Sequence, residues 1–172
     1  MNEQIEEVYG PAEIAERVRA LGEEISEAYR GRELTVLGVL EDSFVFLADL
    51  LRALGHVPLR TSFLRYDHRA RGGLQDLTFS TDIEIKGRDV LLVEGVLNTG
   101  IPQDYLVRQL VEARGASSVR LCVLVDKPDG RRTDLRPDWR AFETREDYVV
   151  GYGLGFQERW RELPGIAAVR RA

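Results

Sequence analysis

The chain has 172 residues, 44% of them hydrophobic and 31% charged, and 24 Lys and Arg against 29 Asp and Glu give a formal net charge of −5. That length predicts a single domain, residues 1–172, with a substantial core, and the acidic balance excludes a general nucleic-acid surface despite basic spots at Arg65 to Arg71 and Arg170-Arg171. One cysteine, Cys122, excludes an internal disulfide framework and, within the apolar run Leu121 to Val125, reads as a core residue. The polar start Met1-Asn2-Glu3-Gln4 and the lack of any run near the roughly 18 apolar residues of a membrane span predict a cytoplasmic protein without membrane contact.

Ile14, Val18, Leu21, Ile25 and Ala28 recur at spacings of three and four, which predicts an amphipathic helix over Glu13 to Tyr29 with Gly31 as its stop. Leu34 to Leu40 reads as a buried strand, Glu41-Asp42-Ser43 as a short loop, and Phe44 to Leu54 as a second helix ended by Gly55. Pro58 to Leu64 predicts a strand, Tyr66 to Gly73 an exposed Arg/Gly-rich loop, and Leu77 to Ile85 a hairpin. Val90 to Val93 predicts a strand, Asp104 to Arg114 a helix closed by Gly115, and Val119 to Val125 another strand. This alternation predicts an α/β domain with a mainly parallel sheet. Ligands of such sheets sit beyond the C-terminal strand ends, so the loops at Glu41, Glu94 and Asp126 are expected to converge.

The run Val90 to Gly100 has the form of a phosphate-and-ribose-binding turn: four apolar residues, then Glu94-Gly95-Val96-Leu97, then Asn98-Thr99-Gly100, whose backbone N–H groups can face a phosphate. It resembles the signature of the type I phosphoribosyltransferases. Four further segments are similar, in order, to the hypoxanthine-guanine members of that family. They are Leu37 to Leu40 with Ser43 to Leu51, Asp82 to Val90, Val125-Asp126-Lys127-Pro128, and Asp147 to Leu154. The resemblance implies a mainly parallel central sheet flanked by helices, with a small hood formed by the chain ends. It also implies a reaction in which a purine nitrogen displaces diphosphate from phosphoribosyl pyrophosphate with Mg2+ present, and a homodimer or homotetramer.

By that resemblance, Lys127 contacts the exocyclic oxygen of a 6-oxopurine, Tyr148 stacks on the base and the Val149 backbone meets its edge. Arg161 contacts the diphosphate, Glu94 holds ribose hydroxyls, and Thr99, Gly100, Ile101 and Gln103 surround the 5′-phosphate. Plainer roles stay open for three of these residues: a solvated lysine, a core tyrosine, and a solvated helix face for Arg161 within Phe156 to Arg161.

Several positions depart from the family pattern. Asn98 replaces an aspartate, and an amide cannot take up a proton at neutral pH, so general-base help of about 10²–10⁴-fold is expected to be missing. Gly95 replaces a second acid, Gly155 the magnesium-holding aspartate, and Pro102 a threonine, while Glu41-Asp42 stand for Lys-Gly in the diphosphate loop. The departures fall on the transfer half of the site and spare the purine half. The sequence therefore predicts a family member that binds a purine base or nucleoside monophosphate with weak or lost transferase activity. An active salvage enzyme and a structural partner of an active relative are the alternatives.

Overall fold

The computed structural model describes residues 3–67, 76–79 and 83–171. Its chain order is β1 (Glu3–Tyr9), α1 (Pro11–Ala28), β2 (Leu34–Leu40), α2 (Phe44–Ala53), β3 (Leu59–Asp67), β4 (Asp76–Phe79), β5 (Asp89–Leu97), α3 (Ile101–Arg108), β6 (Ser118–Asp126), β7 (Trp139–Glu143), β8 (Val149–Val150) and β9 (Ile166–Arg171). A π-helical turn, Gln109–Ala113, continues α3. Among the described residues, no helix is long and apolar enough to cross a membrane.

The central sheet has strand order β4-β3-β2-β5-β6-β7, parallel throughout except for β4, which pairs antiparallel with β3. Alternation along the strands divides the core. Val36, Leu91, Val93, Cys122 and Leu124 pack with α1 and α2, whereas Leu37, Leu92, Leu121 and Val123 pack with Leu106 and Leu110 from the opposite layer. Strands buried on both faces explain why their sequences are continuous apolar runs. Cys122 is fully buried and burial pushes its thiol pKa up, as expected of a core residue.

The chain ends form a separate antiparallel sheet, β1-β9-β8, with Val150, Ala167 and Val169 packed against Phe156, Trp160 and Leu163. This is the hood.

Several elements differ from their sequence expectations. The strand centred on Val90 to Val93 runs on to Leu97, because Val96 and Leu97 continue the pairing with β6. The third helix begins at Ile101, with Pro102 in its first turn, where its missing N–H costs no helical bond. In place of a hairpin over Leu77 to Ile85, the short β4 pairs back to β3, and residues 83–85 are outside any strand. Phe156 to Arg161 is a tight turn with an isolated Phe156–Arg159 bridge and positive φ at Gln157, Glu158 and Trp160; helical dihedrals are ruled out there. The basic loop Arg65 to Gly73 lies outside the described residues beyond Asp67.

Candidate functional site

Parallel pairing brings the C-terminal ends of β2, β5 and β6, at Leu40, Leu97 and Asp126, to one edge of the sheet. Two cavities open there. One, of about 330 Å³, is lined by Val39, Leu40, Glu41, Asp42, Arg65, Glu94 and Arg161. The other, of about 600 Å³, is lined by Asn98, Lys127, Asp129, Gly130, Thr144, Arg145, Asp147 and Tyr148.

The larger cavity gathers Lys127 and Tyr148, two of the three residues expected to meet a purine; Val149 is next to Tyr148 in the chain but is not in its lining. Lys127 leaves the end of β6 with its backbone N–H donating to the Leu97 carbonyl at 2.9 Å, so it is fixed beside the end of β5. Its Nζ donates to the Asp147 carbonyl at 2.6 Å, and burial lowers its pKa against the opposing pull of Asp147 and Glu146. Tyr148 is 44% exposed, with its ring tilted against Phe156 at a centroid separation of 5.0 Å; it is no core aromatic. Val149 begins β8 and pairs with Ala168. Asn98 stands on the turn after β5, with Gly130 directly against its side chain.

That turn is braced from behind. Arg131 Nε donates to the Asn98 carbonyl at 2.8 Å and the Arg132 N–H to the Thr99 carbonyl at 2.8 Å. Gly100 has φ of 78°, a left-handed geometry suited to glycine, and the Ile101 N–H approaches Thr99 Oγ1 at 3.4 Å. Ile101 is 52% exposed, whereas Gln103 is buried, so Gln103 is poorly placed to replace a missing hydroxyl at the mouth of the turn. Asp126 reaches the convergence point but is committed there: it is 2% exposed and ion-paired with Arg131 and, at 3.0 Å, with Arg140. The sequence offered no motif for Arg131, whose role as a brace follows only from the approach of β6 to β5.

The smaller cavity holds the residues expected to meet diphosphate and ribose, already engaged with one another. Arg161 Nη1 donates to Asp42 Oδ1 and, at 2.8 Å, to the Gly153 carbonyl, and its Nη2 lies 3.8 Å from Glu41 Oε2. Arg65 pairs with Glu41 at 3.0 Å. Glu94, 6% exposed, projects from β5 into the same space. The Leu40–Glu41 peptide is cis.

The magnesium implied by the family resemblance fits poorly. Gly155 offers no carboxylate, and a Cβ there would lie 2.7 Å from Arg161 Cζ, so a guanidinium covers the place where the family's aspartate is expected. Among the described residues, no three His, Cys, Asp or Glu side chains form a group able to hold a metal ion.

A doubly covered parallel sheet, an Asn98-to-Gly100 turn beyond its central strand and a hood of chain ends define the phosphoribosyltransferase fold. Residues 4–159 match the family described as phosphoribosyl transferase domain. The chain is 36% identical over 162 residues to the hypoxanthine-guanine phosphoribosyltransferase of Lactococcus lactis subsp. lactis, covering 92% of this chain and 87% of that protein. It is 33% identical over 169 residues to that of Bacillus subtilis, covering 93% and 90%. A crystal structure of a hypoxanthine-guanine phosphoribosyltransferase from Bacillus anthracis superposes with a TM-score of 0.90 at 29% identity, covering 99% of this chain and 100% of that one. The chain belongs to the hypoxanthine-guanine phosphoribosyltransferase family.

Proposed function

We propose that this protein binds a 6-oxopurine base or its nucleoside monophosphate in the Lys127–Tyr148 cavity, in the cytoplasm and as a homodimer or homotetramer, with phosphoribosyl transfer weak or lost. The observation that carries this reading is the contrast between the two cavities. In one, the Lys127 ammonium meets the neutral Asp147 carbonyl beside an exposed Tyr148; in the other, the Arg161 guanidinium is ion-paired with the Asp42 carboxylate.

In the larger cavity the Lys127 ammonium donates to the purine 6-oxygen, exchanging the Asp147 carbonyl for the ligand in a charge-assisted hydrogen bond. Tyr148 offers a ring face, and the Asn98 amide donates or accepts at the imidazole edge without moving a proton. The Thr99–Ile101 turn presents N–H groups to a 5′-phosphate, and Glu94 accepts from ribose hydroxyls. Transfer also needs the diphosphate gathered and its charge neutralised as it leaves. Magnesium would supply that neutralisation in a working transferase, but with Gly155 in place of the family's aspartate no residue here is assigned to hold it.

A second reading, an active 6-oxopurine phosphoribosyltransferase of purine salvage, is favoured by the near full-length likeness to the Lactococcus lactis and Bacillus subtilis proteins. Thermal shifts with inosine and guanosine monophosphates, free purines and phosphoribosyl pyrophosphate, each with and without Mg2+, separate the readings. Stabilisation by 6-oxopurine ligands alone supports the proposal. A magnesium-dependent shift with phosphoribosyl pyrophosphate supports the active enzyme, and no shift at all supports a structural partner of an active relative.

A further inference from the structure

Three of the substituted positions, Asp42, Gly95 and Gly155, are joined through the retained Arg161. Asp42 packs on Gly95, Arg161 packs on Gly155, and Arg161 joins the two contacts by donating to Asp42. A Cβ at Gly95 would lie 2.8 Å from the Asp42 backbone oxygen and 2.9 Å from its Cβ; one at Gly155 would lie 2.7 and 2.8 Å from Arg161 Cζ and Nε. Neither glycine has a positive φ, so it is space and not backbone conformation that requires the missing side chain. Arg65 closes the other side of the cluster through Glu41.

From this geometry we infer that Asp42 and Glu41 are specificity-determining residues that fill an anion subsite from within: their carboxylates take the guanidinium positions a diphosphate would need. The inference rests on the purine-nucleotide reading above and deepens it by stating which phosphate chemistry the site refuses. Three carboxylates and two guanidiniums line the smaller cavity, and both guanidiniums already carry a carboxylate partner, Arg65 with Glu41 and Arg161 with Asp42. An arriving diphosphate must break the Arg161–Asp42 pair and then face both released carboxylates, whose like charge repels it. The turn from Asn98 to Ile101 lies outside this cluster, so a ligand ending in a 5′-monophosphate meets no such obstacle. The four positions act as one device, in which two small residues make room for the pair that the acid and the arginine form.

Inorganic diphosphate with Mg2+ is the probe, titrated by calorimetry into the full chain and into the Asp42→Asn and Glu41→Gln/Asp42→Asn variants, which remove charge while keeping size. Wild type is expected not to saturate by about 1 mM, and the double variant to bind at least about tenfold tighter. Glu41→Gln alone, remote from the Gly95 contact, should move affinity the same way by less, which guards against a packing defect at Asp42. Micromolar binding by wild type, or a double variant no tighter than wild type, overturns the inference. Inosine monophosphate is titrated into the same samples; its failure to bind contradicts the purine reading, while the diphosphate comparison still decides this one.

Discussion

Gly130 lies so close to Asn98 that a Cβ there would overlap the Asn98 Oδ1 and come within 3.1 Å of its Cγ. The neighbour is the end of a short side chain, so a methyl at 130 should turn the amide out of the purine cavity without moving the strands. Gly130→Ala is therefore expected to weaken inosine monophosphate binding several-fold while the melting temperature barely changes. Calorimetry beside a thermal melt checks this, and unchanged affinity would show that Asn98 does not contact the ligand.

On the proposed reading, Lys127 is the residue expected to discriminate between 6-oxo and 6-amino purines. Its ammonium suits an acceptor, whereas the 6-amino group of adenine places a donor against a donor. Lys127→Ala should abolish the preference for hypoxanthine over adenine in a thermal-shift comparison, and a preference that survives the substitution assigns the discrimination elsewhere.

The glycine at 95 is a packing requirement as well as a missing acid. Gly95→Asp should destabilise the fold by about 1–3 kcal/mol from overpacking alone, with the buried carboxylate beside Asp42 adding to that. Urea unfolding measures it. A change within about 0.5 kcal/mol, the range of an ordinary surface substitution, would mean that the Asp42 loop yields freely.

The fold was largely legible because its signals are local. Continuous apolar runs such as Leu34 to Leu40 marked buried parallel strands, and the spacing of Ile14, Val18 and Leu21 marked a helix face. What the sequence hid was set by distant pairing. The hood strand Ile166–Arg171 is recognisable only beside Glu3–Tyr9, and the Phe156 to Arg161 turn mimics a helical stretch until its positive φ values are seen. In the site, Glu41 and Asp42 read as two acids standing for Lys-Gly in the diphosphate loop. That Arg65 and Arg161 neutralise them, and that Gly95 and Gly155 make the space, needed side chains far apart in the chain to be seen in contact.

Tyr152 donates its hydroxyl to Asp49, and burial together with that carboxylate raises its pKa; burial also raises those of Tyr9 and Tyr29. A hydroxyl whose folded pKa exceeds its unfolded value of about 10 contributes stability that is complete below that pH and is lost as pH rises through the folded value. Stability should thus decline above about pH 10, and Tyr152→Phe should decline less steeply, while being less stable near neutrality for want of its bond to Asp49. Urea midpoints across that alkaline range test the point, and parallel curves for the two proteins would contradict it.

The most direct measurement is the steady-state rate at which the wild-type chain transfers the phosphoribosyl group to hypoxanthine with phosphoribosyl pyrophosphate and Mg2+. A missing base at Asn98 and a diphosphate cavity whose Arg161 is already paired with Asp42 impair different parts of the barrier, so the rate should be absent or several powers of ten below an ordinary value of about 10 per second. Asn98→Asp alone should recover little of it, because the Arg161–Asp42 pair remains. Turnover by the unmodified protein near 10 per second would contradict the account at its centre.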